Sequence, residues 1–170
     1  EQKVPMRREL SAMIARSPFG QGGAWPVVET VQEDGICVTV IAPAPSVGEL
    51  GSAASELALG LASELGVVGV MAVELFETVD GSLLVNELAM RPHNSGHWTM
   101  DGARTSQFEQ HIRAVAGLPL GDGRRHADVV MENLIGADIE RLPDLLRKAQ
   151  VGEPPTTATN AALGTVITVK

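Results

Sequence analysis

A chain of 170 residues is the size of one domain and long enough to bury a sizeable core, and its 44% hydrophobic content is ordinary for a soluble globular protein. The net charge of -8, with no basic run longer than Arg7-Arg8 or Arg124-Arg125, argues against a general nucleic-acid surface. One cysteine, Cys37, excludes an internal disulfide framework, and neither a signal-peptide pattern nor an apolar run near the ~18 residues of a membrane span is present, so a soluble, cytoplasmic protein is expected.

Glu1 to Pro5 is a polar lead-in, and a start at Glu rather than Met fits processing or an internal fragment. Residues 8–16 predict a first strand, with Leu10, Ala12 and Ile14 on one face by period two. The glycines of SPFGQGG form a turn without the lysine or spacing of a P-loop. Strands are predicted at 24–31 and 36–42, joined through the tight-turn pair Asp34-Gly35, and Pro26 requires an open side on its strand. Trp25 and Cys37 read as packing residues. Pro43 and Pro45 close this meander.

A helix is predicted over 49–65 with an apolar stripe of Leu50, Ala54, Leu57, Leu61 and Leu65, stopped by Gly66. Ala53, Ala54 and Ala58 would permit close approach to a sheet.

A hairpin is predicted next, in GVMAVELFETVDGSLLVNELAM, turning at Asp80-Gly81. A two-residue turn there sets Glu74 directly opposite Glu87. Carboxylates paired so closely repel unless a cation lies between them, which suits Mg²⁺ or Mn²⁺. A three-residue turn or a bulge would separate them, and an edge hairpin with both acids in water is the alternative. Apolar residues on both faces of each strand favour burial. Arg91, His93, Asn94, His97 and Trp98 follow at once, a polar and aromatic group too dense for an ordinary connection.

Ser106 and Glu109 form a capping box for a second helix whose predicted buried stripe is Phe108, Ile112 and Val115. His111 beside it is expected to be packed or hydrogen-bonded, and His126 solvated. A strand at 127–134 and a helix at 138–149 come next. GEPPTTATNAALG carries no period and reads as a linker, and 165–169 is a last strand without an identifiable partner.

VNELAMRPHNSGHWTMDGARTSQFEQHIRAVAGLPLG, with PMRRELSAMIARSPFGQ and AWPVVETVQEDGICVTVIAPAP upstream and VVMENLIG downstream, resembles the 5-(carboxyamino)imidazole ribonucleotide synthetase family over about residues 1–136. The Asn94 to Trp98 string is the most specific part. The resemblance implies an α+β ATP-grasp fold, of which this chain carries the C-terminal subdomain, a mainly antiparallel sheet packed by helices. It further implies that residues 1–121 are the C-terminal half of the ATP-grasp domain, 122–150 the start of a small C-terminal domain and 151–170 a divergent tail.

The activity implied is carboxylation of 5-aminoimidazole ribonucleotide with ATP and bicarbonate through carboxyphosphate, with Mg²⁺ (or Mn²⁺) as cofactor and a homodimer as assembly. The motif match implies that Glu74 and Glu87 bind the metal, that Arg91 holds the transferring phosphoryl or carboxyphosphate, and that His93, Asn94 and His97 line the bicarbonate and aminoimidazole pocket. Glu1 matches the hinge glutamate that addresses adenine, and Glu9 the one that binds the ATP ribose. The family's Tyr-Gly-Lys and Arg-Pro-Gly-Arg-Lys segments have no counterpart in these residues, and from about Arg141 the pattern departs. The alternative function is an inactive remnant or assembly module.

Overall fold

The computed structural model describes residues 3–151 and 163–169. The chain opens with β1 (Met6–Arg16), β2 (Gly22–Ala24), β3 (Val28–Glu33) and β4 (Ile36–Ala42), followed by α1 (Gly48–Glu64). The hairpin β5 (Gly69–Thr78) and β6 (Leu83–Ala89) leads through a 3-10 turn, Asn94–Gly96, into α2 (Thr99–Gly102) and α3 (Gln107–Val115). Then come β7 (Asp128–Leu134), a 3-10 segment Gly136–Arg141, α4 (Leu142–Val151) and β8 (Leu163–Val169). The strands form one sheet in the order β6-β5-β1-β3-β4-β7-β8, with β2 paired beside β1. All pairings are antiparallel except β7 with β8. The architecture is the expected α+β one.

β1 is central because both of its faces can be buried. Leu10, Ala12 and Ile14 join Met71, Val73 and Leu75 of β5 on the face covered by α1, while Met13 and Ala15 join Val70, Ala72 and Trp98 on the other. Each fully buried large apolar side chain here contributes about 1.5–3 kcal/mol.

The stripe that α1 buries overlaps the expected one only in part: Ala54 is buried, and Leu50 and Leu61 are partly buried against the core. Gly51, Ala54, Ala58 and Ala62 face the sheet, whereas Leu57 and Leu65 are exposed. The sheet supplies the bulk on this face, so the helix presents its smallest residues and packs closely. Gly66, at φ 62, ends it as expected, with Gly66 N–H donating to Ser63 O and Val67 N–H to Ala62 O. The predicted strand at 24–31 is also interrupted: Ala24 ends β2 and β3 starts at Val28. Pro26 lacks the N–H that would continue the ladder.

The two Asp-Gly turns differ. Asp34 and Gly35 both have positive φ, 50 and 77, and join Glu33 directly to Ile36 as a two-residue turn. In the second hairpin only Gly81 has positive φ, at 83, and Thr78 N–H donates to Ser82 O, so Val79, Asp80 and Gly81 form a three-residue loop. The side chains of Thr78 and Asp80 hydrogen-bond to one another and to Ser82 N–H, favouring the longer turn. Leu75 consequently pairs with Val85, one residue off the two-residue register. A bulge at Asn86 then restores the pairing of Glu74 with Glu87. The two irregularities cancel, and the acids meet after all.

Helix α3 is inverted relative to expectation. Ser106 caps it, its hydroxyl accepting from Glu109 N–H at 3.2 Å, but the Glu109 carboxylate turns to Arg113 instead of closing the box. Gln107, Gln110 and Ala114 are buried, and Phe108, Ile112 and Val115 are exposed. The reason is hydrogen bonding: the two glutamine amides satisfy loop backbone groups that would otherwise be buried without partners. His111 is bonded as expected, its Nδ1 accepting from Val70 N–H at 3.1 Å, and His126 is exposed. The predicted helix at 138–149 divides into the 3-10 segment and α4. The last strand finds its partner in β7. The linker-like stretch at 152–162 lies outside the described residues.

Candidate functional site

Glu74 on β5 pairs with Glu87 on β6, and Ser11 on β1 pairs with Glu74 from the other side. Glu9, two residues before Ser11, therefore lies on the same face. This face is covered further along by Trp98 and the 93–107 segment, so the acids sit where the covered part of the sheet gives way to an open edge. Glu74 is partly buried and Glu87 exposed, which corrects the expectation that both would be covered: β6 is an edge strand whose Leu84, Val85 and Leu88 also reach water.

His93 completes the group. Its Nε2 lies 3.4 Å from Glu74 Oε1, and Glu74, Glu87 and His93 each offer one ligand atom with all three within 4.8 Å of one another. The Glu74 carboxyl is pushed above its ordinary range, first by burial, then by the charges of Glu87 and Glu9. A hydrogen bond from Asn86 and the charge of Arg91 act in the opposite direction without reversing the shift. A site that penalises its own carboxylate in this way fits a divalent cation, and paired carboxylate oxygens suit the hard ions Mg²⁺ and Mn²⁺.

The remaining predicted residues surround this cluster. Arg91 is exposed, its guanidinium donating to Pro92 O at 3.1 Å, with donors left to face solvent. Asn94 opens the 3-10 turn, and its Oδ1 is buried with no hydrogen-bond partner among the described residues. The His97 ring stacks on Phe108 with centroids 5.8 Å apart, and its backbone N–H donates to Asn94 O. Glu1 lies outside the described residues. The structure therefore gathers Glu9, Glu74, Glu87, Arg91 and His93 around one face and sets Asn94 and His97 on the turn that follows.

Three participants escaped the sequence reading. Ser95, 2% exposed, contacts His93 Nδ1 through both its hydroxyl (2.9 Å) and its N–H (3.4 Å). Ser11, 1% exposed, hydrogen-bonds Ser95 Oγ at 2.8 Å. Period two along β1 puts Ser11 on the face opposite Leu10 and Ala12, a signal that was available. Gln107 holds the backbone of His93 from α3, and no local pattern announces a contact across that separation.

Residues 1–108 match the ATP-grasp domain family. The chain is 73% identical over 139 residues to the N5-carboxyaminoimidazole ribonucleotide synthase of Mycobacterium leprae (strain TN), covering 81% of this chain and 32% of that protein. Among solved structures it is similar to an ADP complex of an N5-carboxyaminoimidazole ribonucleotide synthetase, with TM-score 0.84 and 45% identity over 88% of this chain and 40% of that one. It is also similar to the Aspergillus clavatus N5-carboxyaminoimidazole synthase in complex with ADP and 5-aminoimidazole ribonucleotide, with TM-score 0.81 and 34% identity over 86% and 41% of the two chains. The chain spans about a third of the length of the curated relatives it matches. Among the described residues no helix is long and apolar enough to cross a membrane.

Proposed function

The chain belongs to the ATP-grasp family, and from that premise we propose that it supplies the Mg²⁺-ATP face and part of the substrate pocket of an ATP- and bicarbonate-dependent ligase that carboxylates 5-aminoimidazole ribonucleotide. The observation that carries this reading is the cross-strand pair Glu74 and Glu87 with His93 beside it. The relatives named for making N5-carboxyaminoimidazole ribonucleotide, and the structures that hold ADP or the aminoimidazole ribonucleotide, support it.

Glu74 and Glu87 would hold the metal, which when bound offsets charge on the transferring phosphate. Glu9, on the same face, accepts hydrogen bonds from the nucleotide ribose, and Glu1 addresses the adenine. Arg91 directs its free donors to the phosphoryl group or to the carboxyphosphate formed when bicarbonate oxygen attacks the γ phosphorus. Asn94 lines the bicarbonate and aminoimidazole pocket. His93 and His97 complete the wall of that pocket. In this reading residues 1–121 belong to the ATP-grasp domain, 122–150 begin a small further domain and 151–170 are a divergent tail. The working assembly is a cytoplasmic homodimer.

Calorimetric titration of the chain with ATP, with and without Mg²⁺, tests the proposal. Magnesium-dependent heat that disappears in Glu87→Gln is the expected result. A folded chain that gives no such heat would reject autonomous nucleotide binding and favour a scaffold role.

A further inference from the structure

Helix α3 buries two glutamines, and each closes a pair of hydrogen bonds on one loop residue. Gln110 accepts from Gly121 N–H at 2.7 Å and donates to Gly121 O at 2.9 Å. Gln107 makes the same clasp on His93, accepting from its N–H and donating to its O, both at 2.8 Å. Gln107 is fully buried, and its own N–H donates to Thr99 Oγ1 at 2.9 Å, while that hydroxyl donates to Gly96 O at 2.6 Å. Both ends of Gln107 are thus tied to the 93–99 segment.

The clasp has a consequence at the ring. With the His93 backbone fixed, the next turn brings Ser95 N–H onto Nδ1, and Ser11 holds the Ser95 hydroxyl against the same nitrogen. A ring nitrogen that accepts from a backbone N–H carries no proton itself, so the hydrogen-bond network assigns the proton of the neutral ring to Nε2. That nitrogen faces Glu74 Oε1. With its proton on Nε2, that nitrogen has no lone pair for a cation and lies 3.4 Å from the Glu74 carboxylate as its polar neighbour.

We propose that Gln107 is a positioning residue for this site: its clasp on the His93 backbone sets the ring so that Nε2–H holds Glu74 in place for the cation. The consequence for the cation rests on the function proposed above, whereas the effect on the ring does not. Gln110 provides an internal control, since its loss removes an equivalent clasp that does not touch His93.

The test compares Gln107→Met and Gln110→Met with the unaltered chain. Long-range ¹H–¹⁵N spectra, recorded where the ring is neutral, report the His93 nitrogens, and electron paramagnetic resonance reports Mn²⁺ affinity. The unaltered chain should show the Nε2–H pattern. Gln107→Met should move both nitrogens toward tautomer-averaged positions and weaken Mn²⁺ at least fivefold. Gln110→Met should lower the unfolding temperature comparably and change neither. His93 spectra unaffected by Gln107→Met, or altered equally by Gln110→Met, would overturn the proposal. If Gln107→Met does not fold, Gln107→Glu, which keeps the acceptor and loses the amide donor, is read by the same criteria. Should the unaltered chain show no Mn²⁺ binding that Glu74→Gln removes, the cation reading fails while the ring spectra still decide the role of Gln107.

Discussion

Replacing Glu74 by Gln should stabilise the metal-free chain and abolish its response to Mg²⁺. The substitution keeps an oxygen that can accept from His93 Nε2 but removes a charge that burial disfavours first and Glu87 second. With ligand atoms no more than 4.8 Å apart, the repulsion between the two carboxylates is at least about 0.9 kcal/mol at the dielectric constant of water and at least about 3.5 kcal/mol at an effective value of 20. Glu87 is exposed, so the lower part of that range applies, about 1–2 kcal/mol. In a chain of 170 residues this corresponds to an increase in Tm of about 2–6 °C. A tenfold excess of Mg²⁺ over its Kd should stabilise the unaltered chain by about 1.4 kcal/mol, and Glu74→Gln by nothing.

The pH dependence follows from the direction of the shift. Because the folded chain raises the Glu74 pKa, its contribution to stability is fully present below the ordinary glutamate value, about 4.3, and is lost as pH rises through the raised value. The advantage of Glu74→Gln should therefore be absent near pH 4 and appear as the pH approaches neutrality. Thermal unfolding of both chains across that interval, with and without Mg²⁺, measures it. A Glu74→Gln chain that is less stable than the original at neutral pH without metal, or that keeps the Mg²⁺ response, would refute the reasoning.

Arg8→Met should be strongly destabilising. Arg8 bonds Glu77, whose side chain is only 4% exposed, and also Glu29 and Pro45 O, and its removal leaves the buried carboxylate, among the described residues, to the exposed Arg7. A loss of about 3 kcal/mol is expected in denaturant unfolding, and a change below about 1 kcal/mol would show that Arg7 suffices as partner. Gly96→Ala should perturb the same network that positions His93. A Cβ there would meet Met13 Cε at 2.5 Å and Gln107 Oε1 at 2.6 Å. The Met13 end can move but the clasped amide cannot do so freely, so a cost of about 1–3 kcal/mol is expected. It should appear in thermal unfolding together with altered His93 resonances.

The sequence by itself placed most of the strands, several helix ends and the acidic pair of the hairpin. Period two in 8–16, the Asp34-Gly35 turn, the Gly66 stop and the Ser106 cap are local signals, fixed by backbone sterics and by hydrogen bonds within a few residues. The order of Glu74, Glu87, Arg91, His93 and Asn94 was likewise readable, because these residues are confined to one hairpin and the turn after it. Even so, the pairing of Glu74 with Glu87 was right for an incomplete reason: the three-residue loop shifts the register and the bulge at Asn86 shifts it back.

Tertiary structure alone decided which face of α1 and of α3 is buried. In α1 both the leucine stripe and the Gly51, Ala54, Ala58, Ala62 stripe satisfy a period of 3.6, and the bulk of Leu10, Met71 and Leu75 on the sheet selected the smaller one. In α3 the partners of Gln107 and Gln110 are loop backbone groups 14 and 11 residues away, so amides displaced the apolar stripe from the interior. Periodicity registers how apolar a face is. It does not register the space left by the opposing layer or the unmet hydrogen bonds of a loop, and these set the environment of His93.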